Sequence, residues 1–149
     1  MKKKLYLAYG SNLNKRQMLH RCPTGQLVGT TELEDYRLTF RGGKESAVAT
    51  VEPLKGSKVP CGIWEIGPID EKHLDWYEGY PHLYRKEMVT VTLSGKQVEV
   101  MVYIMNEGRP ENLPSKVYYE VIQEGYDDCR LDQEYLKSAV RQVKTTISA

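Results

Sequence analysis

The chain has 149 residues, of which 40% are hydrophobic and 28% charged, and its 21 basic and 20 acidic side chains give a net charge of +1. This composition fits one compact domain over residues 1–149, and the near-neutral charge gives no electrostatic footprint for nucleic acid. No apolar run approaches the roughly 20 residues that span a membrane, and the run after the N-terminal lysines is too short for a secretory signal. We therefore expect a cytoplasmic monomer or homodimer without nucleic-acid or membrane partners.

Apolar runs and alternating patterns predict the strands. The predicted strands are residues 5–9, 36–40, 47–51, 61–66, 88–93 and 97–105. The second and third flank the turn Arg41-Gly42-Gly43, and the last two form a hairpin around Ser94-Gly95-Lys96. The other Gly and Pro residues in this part of the chain are interpreted as turns.

Capping signals predict four helices. Their predicted starts are Asn14, Asp70, Ser115 and Asp132, and the predicted ends of the first three are Pro23, Gly79 and Gly125. Ile69 is expected to pack on Leu74 as a hydrophobic staple at the second helix, and Leu131 on Leu136 at the fourth. Strands with inserted and appended helices indicate an α+β domain whose sheet is twisted or partly closed into a small β-barrel.

Most sequence motifs of common active sites are absent. There is no G-x-G-x-x-G, no G-x-x-x-x-G-K-[ST] and no G-x-S-x-G, which argues against dinucleotide, phosphate-loop and α/β-hydrolase sites. The three histidines lack metal-ligand spacing and are expected on the surface: His20, His73 and His82. The cysteines are odd in number and widely spaced, which fits free, buried thiols: Cys22, Cys61 and Cys129.

The first chemical signal is a strand that runs directly into Gly10-Ser11-Asn12 and then into a helix. Gly10 permits close approach of the backbone to a ligand, and a helix start adds N–H groups and the positive end of its dipole. A carboxylate or an oxyanion would fit there. The alternative is an ordinary strand-to-helix connection capped by Asn.

The second signal is Glu78, which precedes the predicted helix end at Gly79 and lies among aromatic residues. The negative end of the helix dipole and desolvation by aromatic neighbours would both raise the pKa of this carboxyl group. A carboxyl group with a raised pKa suits proton transfer. The alternative is a solvated glutamate at the end of a surface helix.

Read in order, several segments resemble the γ-glutamylcyclotransferases and their AIG2-like relatives, and together they cover most of the chain. The segments are Tyr9-Gly10-Ser11-Asn12-Leu13, Ala47-Val48-Ala49-Thr50-Val51, Cys61-Gly62-Ile63-Trp64, Leu74-Asp75-x-x-Glu78-Gly79, Val102-Tyr103-Ile104-Met105 and Pro114-Ser115-x-x-Tyr118, continuing to Gly125. The resemblance implies a small mixed β-barrel with flanking helices. It also implies conversion of a small γ-glutamyl substrate to 5-oxoproline with release of an amine, without a cofactor.

The resemblance also implies roles for individual residues. Glu78 corresponds to the acid/base glutamate of the family. The substrate-holding loop corresponds to Tyr9, Gly10, Ser11 and Asn12, and the pocket tyrosines correspond to Tyr84, Tyr103 and Tyr118. Two alternatives stay open: a noncatalytic AIG2-like module that binds a small carboxylated ligand, and a relative acting on γ-glutamyl amines, glutathione or another γ-glutamylated metabolite.

Overall fold

The computed structural model describes residues 2–149, which form an α+β fold with one five-stranded sheet. The strands are β1 (Lys4–Ala8), β2 (Gln26–Arg41), β3 (Val48–Ile66), β4 (Tyr84–Leu93) and β5 (Lys96–Met105). The α-helices are α1 (Lys15–Arg21), α2 (Pro68–Glu78), α3 (Lys116–Asp128) and α4 (Gln133–Ser148). The predicted α+β class is therefore confirmed.

β1 lies at the centre of the sheet, whose strand order is β2-β3-β1-β5-β4. It pairs antiparallel with β3 and parallel with β5. Its residues from Tyr6 to Ala8 are buried irrespective of the face they occupy, as expected for a strand covered on both sides. The residues that follow β1, Tyr9 and Gly10, are buried as well.

The sheet is not a closed barrel: of the two predicted forms, a twisted sheet and a sheet partly closed into a barrel, the structure has an open sheet. β2 and β4 are its two edges. The edges approach each other where the Thr31 hydroxyl group donates a hydrogen bond to the backbone carbonyl of Thr92. A side-chain bridge of this kind does not continue the backbone ladder that would close a barrel. The sheet is therefore open, with β2 and β4 as its edge strands.

β2 and β3 are longer than the sequence predicts. Their pairing continues through segments interpreted as turns, because residues 54–57 bulge outward opposite Asp35 without ending the ladder. The Asp35 carboxylate accepts a hydrogen bond from the Gly56 N–H at 3.0 Å and holds this bulge in place. The three predicted strands in this region are thus parts of only two strands. The strand predicted at residues 36–40 lies in β2, and those predicted at 47–51 and 61–66 belong to β3.

The hairpin of β4 and β5 is confirmed. Its register runs from Tyr84 opposite Met105 to Leu93 opposite Lys96. Ser94 and Gly95 both have positive φ, at 51° and 80°, which is the backbone of the two-residue turn that suits twisted hairpins.

The cap of α2 differs from the prediction. The helix begins at Pro68, so Asp70 lies in its first turn, where the carboxylate accepts a hydrogen bond from the Gly67 N–H at 3.0 Å. Ile69 is 58% exposed, and the predicted staple on Leu74 is therefore wrong. The predicted end is confirmed, because Gly79 caps the helix with a φ of 65°.

The starts of the last two helices are confirmed, whereas one predicted end is wrong. Ser115 accepts a hydrogen bond from the Tyr118 N–H, and Asp132 accepts one from the Glu134 N–H. Gly125 does not end α3, which continues to Asp128. A Cβ atom on Gly125 would lie 2.7 Å from the Asn14 backbone nitrogen, so this glycine permits close helix packing instead of a turn.

Candidate active site

A pocket of about 100 Å³ lies where the chain leaves β1. The starts of β3, β4 and α3 and the ends of α2 and β5 surround it. All eight residues singled out by the resemblance line the pocket: Tyr9, Gly10, Ser11, Asn12, Glu78, Tyr84, Tyr103 and Tyr118. The other lining residues are Tyr6, Val48, Ala49, Tyr77 and Leu83. Segments far apart in sequence therefore meet at one site.

The loop after β1 forms a short 3-10 turn at Ser11–Leu13. The Leu13 N–H donates to the Gly10 carbonyl at 3.0 Å and the Asn14 N–H to the Ser11 carbonyl at 3.1 Å. The N–H groups of Ser11 and Asn12 precede these bonds and have no partner within the turn. Because both residues line the pocket, these N–H groups are the candidate backbone donors of this loop.

Gly10 packs against the start of β3. A Cβ atom on Gly10 would lie 3.2 Å from the Ala49 Cβ, which is tighter than ordinary van der Waals contact. The Ala49 backbone in turn anchors two pocket tyrosines: its carbonyl accepts from the Tyr84 hydroxyl at 2.5 Å and its N–H donates to the Tyr118 hydroxyl at 3.0 Å. The close approach at Gly10 thus brings the loop next to the backbone that orients these side chains.

Asn12 is held by two side chains. Its Nδ2 donates to the Tyr6 hydroxyl at 2.8 Å, and its Oδ1 accepts from Arg21 Nη1 at 2.5 Å. The Arg21 guanidinium also lies 3.4 Å from the centre of the Tyr77 ring, a distance that permits a cation–π interaction. Arg21 consequently connects the loop to the last turn of α2.

Tyr103 lies at the centre of a second network. Its hydroxyl donates to Asp75 Oδ1 at 2.6 Å. Lys86 bridges Asp75 and Glu71 at 2.8 Å and 2.6 Å, and Lys4 contacts Glu71 at 2.8 Å. The backbone carbonyl of Tyr103 accepts a hydrogen bond from the Tyr9 hydroxyl at 2.6 Å. These contacts fix α2 against β5 and the end of β1.

Glu78 is the last residue of α2 and is half-buried. Within residues 2–149 its carboxylate has neither a hydrogen-bond partner nor a salt bridge. Burial raises the pKa of Glu78 to about 7, against the opposing effect of the positive charge on Arg21. A carboxyl group with this pKa exchanges its proton readily near neutral pH.

The sequence motifs do not include Tyr6, Tyr77 or Arg21, although the structure brings all three to the pocket or next to it. Tyr6 comes from β1, just before the segment that begins at Tyr9, and Tyr77 occupies an unspecified position within the segment that includes Glu78. Arg21 ends α1, where a basic residue is already explained by the helix dipole. Only the folded chain shows that it reaches the loop.

The cysteines and histidines lie as the sequence predicts. The three cysteines are buried and free, and the three histidines are exposed. Within residues 2–149 no three Cys, His, Asp or Glu side chains are grouped to hold a metal ion. Over the same part of the chain, no helix combines the length and apolar character needed to cross a membrane.

Comparison with known proteins places these features in a family. Residues 6–125 match the family model described as γ-glutamyl cyclotransferase, AIG2-like. The chain is 33% identical over 144 residues to the γ-glutamylcyclotransferase of Bos taurus, covering 89% of this chain and 75% of that protein. It is 30% identical over 142 residues to the Homo sapiens protein of the same name, covering 88% and 74%.

Comparison of the fold with solved structures indicates the same family. A solved structure named γ-glutamyl cyclotransferase superimposes with a TM-score of 0.79 at 26% identity, covering 93% of this chain and 86% of that one. The sequence match extends over the segments that carry the loop, Glu78 and the pocket tyrosines. The chain therefore belongs to the γ-glutamyl cyclotransferase, AIG2-like family, which is a family of enzymes.

Proposed function

We propose that this protein converts a γ-glutamyl amino acid or amine to 5-oxoproline and the free amine, with Glu78 as general acid and base. The observation that carries the proposal is the Glu78 carboxylate, half-buried and without a partner in residues 2–149, in the same pocket as the loop N–H groups. A half-buried carboxyl group with a pKa of about 7 supports proton transfer to and from a bound substrate, in addition to any ion pair with its ammonium group.

The substrate contains its own nucleophile. In a γ-glutamyl amide, attack of the α-amine on the γ-carbonyl closes a five-membered lactam, so the enzyme need not supply an attacking group. Its main task is to hold the substrate folded, and a well-placed intramolecular pair lowers the barrier by about 7–11 kcal/mol. The narrow pocket between the loop and the tyrosines supports this assignment.

The proton steps are assigned to Glu78. The α-amine is largely an ammonium ion at neutral pH and cannot attack until it loses a proton. In our proposal the Glu78 carboxylate takes one proton from the ammonium group before attack and donates it to the departing nitrogen as the C–N bond breaks. The ring nitrogen then gives up its second proton to Glu78, which passes it to the released amine, so that the side chain is regenerated. A pKa of about 7 suits both directions of transfer.

The carbonyl oxygen develops negative charge as the ring closes. The N–H groups of Ser11 and Asn12 are candidate donors for it, and the Tyr118 hydroxyl is a third, because its oxygen already accepts from the Ala49 N–H and its own proton is left for a ligand. One donor aimed at an oxyanion contributes about 3–4 kcal/mol in comparable sites.

The test is incubation of the purified protein with γ-glutamyl amino acids, γ-glutamyl amines and glutathione, followed by mass spectrometry for 5-oxoproline. We expect 5-oxoproline and the matching free amine in equal amounts from at least one class of substrate. Absence of 5-oxoproline across the panel would contradict the proposal and favour the noncatalytic module. The substrate that reacts also decides between the amino-acid, amine and glutathione branches.

A further inference from the structure

The Tyr6 hydroxyl group belongs to the pocket wall, although no motif of the family resemblance includes it. Tyr6 lies in β1 and is only 4% exposed. Its ring packs edge-on against Tyr103 with 5.8 Å between centroids, which fixes the direction of the side chain. The hydroxyl is therefore a rigid polar group in a pocket that six tyrosines line in part.

Arg21 determines how this hydroxyl is used. A guanidinium group has donors only, so the atom of Asn12 that faces Arg21 Nη1 at 2.5 Å is the carbonyl oxygen. The Asn12 amide nitrogen must then face Tyr6, to which it donates at 2.8 Å. Arg21 itself is fixed by Gln17 Oε1 at 2.7 Å and by the ring of Tyr77.

The direction of these bonds leaves the Tyr6 proton available. Its oxygen accepts from Asn12, and no acceptor for its own proton lies among residues 2–149. Three other pocket tyrosines differ, since each donates its proton to a protein oxygen: Tyr9, Tyr84 and Tyr103. Burial raises the pKa of Tyr6 well above its usual value, so the hydroxyl keeps its proton at neutral pH and can donate it to a ligand.

We propose that Tyr6 donates a hydrogen bond to the α-carboxylate of the γ-glutamyl group and that Arg21, through Asn12, is the positioning residue for this contact. The choice of ligand group rests on the proposed function. The chain of bonds ends in a positive guanidinium group, so a full negative charge gains more from it than a neutral carbonyl oxygen does. The α-ammonium group would then face the opposite charge, on Glu78.

The test compares two ligands that differ only in the carboxylate: 5-oxoproline and 2-pyrrolidinone, which is the same ring without that group. Binding is measured by calorimetry or NMR titration, so the result does not depend on turnover. We expect wild type to bind 5-oxoproline more tightly. Tyr6→Phe should weaken 5-oxoproline binding about ten- to hundredfold, the effect of one hydrogen bond to a charged group, and leave 2-pyrrolidinone unchanged.

Tyr126→Phe is the matched control. Tyr126 is also buried, at 0% exposed, but lies outside the pocket, and its hydroxyl has no hydrogen-bond partner among residues 2–149. Its loss should change neither affinity. Arg21→Met provides a second variant: Arg21 does not line the pocket, yet its loss should weaken 5-oxoproline binding selectively. If Tyr6→Phe does not fold, the binding of the two ligands to Arg21→Met tests the proposal instead.

Unchanged 5-oxoproline affinity in the folded variants, or equal losses for both ligands, would overturn the inference. Failure of wild type to bind 5-oxoproline would overturn it as well. Failure of the proposed function has a different signature: no substrate of the panel yields 5-oxoproline, while the carboxylate-selective effect of Tyr6→Phe is retained.

Discussion

The Tyr103 hydroxyl group donates a hydrogen bond of 2.6 Å to Asp75, which lies one helical turn before Glu78 in α2. The bond joins the end of β5 to the helix that carries the proposed acid/base residue. Lys86, from β4, contacts the same carboxylate at 2.8 Å. The position of Glu78 in the pocket therefore depends on a polar network that extends from Tyr103 in the pocket wall to Asp75 and Lys86 outside it.

Removal of the Asp75 carboxylate should destabilise the fold. Asp75→Ala leaves the Tyr103 hydroxyl and one contact of Lys86 without their acceptor, and we expect a loss of about 1–3 kcal/mol in the free energy of unfolding. Urea denaturation measures it. Glu87→Ala is the control, because Glu87 forms an ion pair with Arg85 at 2.6 Å in which both side chains are more than a third exposed, and such pairs contribute at most about 1 kcal/mol. Equal effects would contradict the importance of the network.

Glu78→Gln should nearly abolish turnover while the fold survives. Glutamine has the same shape but cannot exchange a proton, and loss of general acid–base catalysis reduces kcat about 10²- to 10⁴-fold. The measurement is the initial rate of 5-oxoproline formation at saturating substrate. Glu120→Gln, an exposed position in α3, is the matched control and should leave kcat unchanged. Turnover of Glu78→Gln close to wild type would exclude the assigned role.

The same substitution should stabilise the protein at alkaline pH. The pKa of Glu78 is raised in the folded state to about 7 from 4.5, so the folded state binds this proton more tightly and wild-type stability falls as pH rises between these values. Above pH 7, Glu78→Gln should exceed wild type by at most about 3 kcal/mol. Below pH 4.5 the difference should vanish. Denaturation at pH 4 and pH 8 tests this, and a gap that grows on acidification would refute it.

Activity should depend on pH in the opposite sense. Glu78 must be ionised to accept the ammonium proton, so kcat/KM should rise with pH and level off above about 7. The positive charge on Arg21 lowers the pKa of Glu78, and Arg21→Met should therefore shift the rising limb to higher pH. Profiles of kcat/KM against pH, recorded for both proteins at constant ionic strength, measure the shift. An unchanged midpoint in Arg21→Met would mean that a group other than Glu78 controls the rise.

Local chemistry predicts the parts of this fold that depend on neighbours in sequence. The caps at Ser115 and Asp132, the αL residue Gly79 and the β4–β5 hairpin are of this kind. The long pairing of β2 with β3 is not of this kind, because it depends on contacts between the two strands. These contacts continue on both sides of the bulge that contains Gly56. Gly125 shows the same limit: a glycine that ends a helix and one that admits a neighbouring backbone are identical in sequence.

The candidate site divides in the same way. The resemblance marks residues within contiguous motifs, such as Gly10 and Glu78, and the structure gathers them into one pocket. The resemblance does not mark Tyr6 and Arg21, since their link to the site consists of hydrogen bonds with Asn12 that form only after β1 and α1 are packed. Orientation of a hydroxyl proton has no signature in sequence.

The close approach of Gly10 to Ala49 gives the last prediction. A methyl group at position 10 would lie 3.2 Å from the Ala49 Cβ, so Gly10→Ala should push the loop away from the backbone that orients Tyr84 and Tyr118. Because a displacement near 1 Å at a reacting centre lowers rates about 10²-fold, we expect a fall of that order in kcat/KM.

Gly67→Ala is the matched control for this substitution. A Cβ on Gly67 would meet its nearest atom at 3.9 Å, and its φ of −94° suits any residue. Kinetics with a reactive γ-glutamyl substrate, combined with thermal unfolding of both variants, separate an effect on the pocket from an effect on folding. Wild-type kcat/KM in Gly10→Ala would show that the loop tolerates the shift and that its distance from Ala49 is not critical for catalysis.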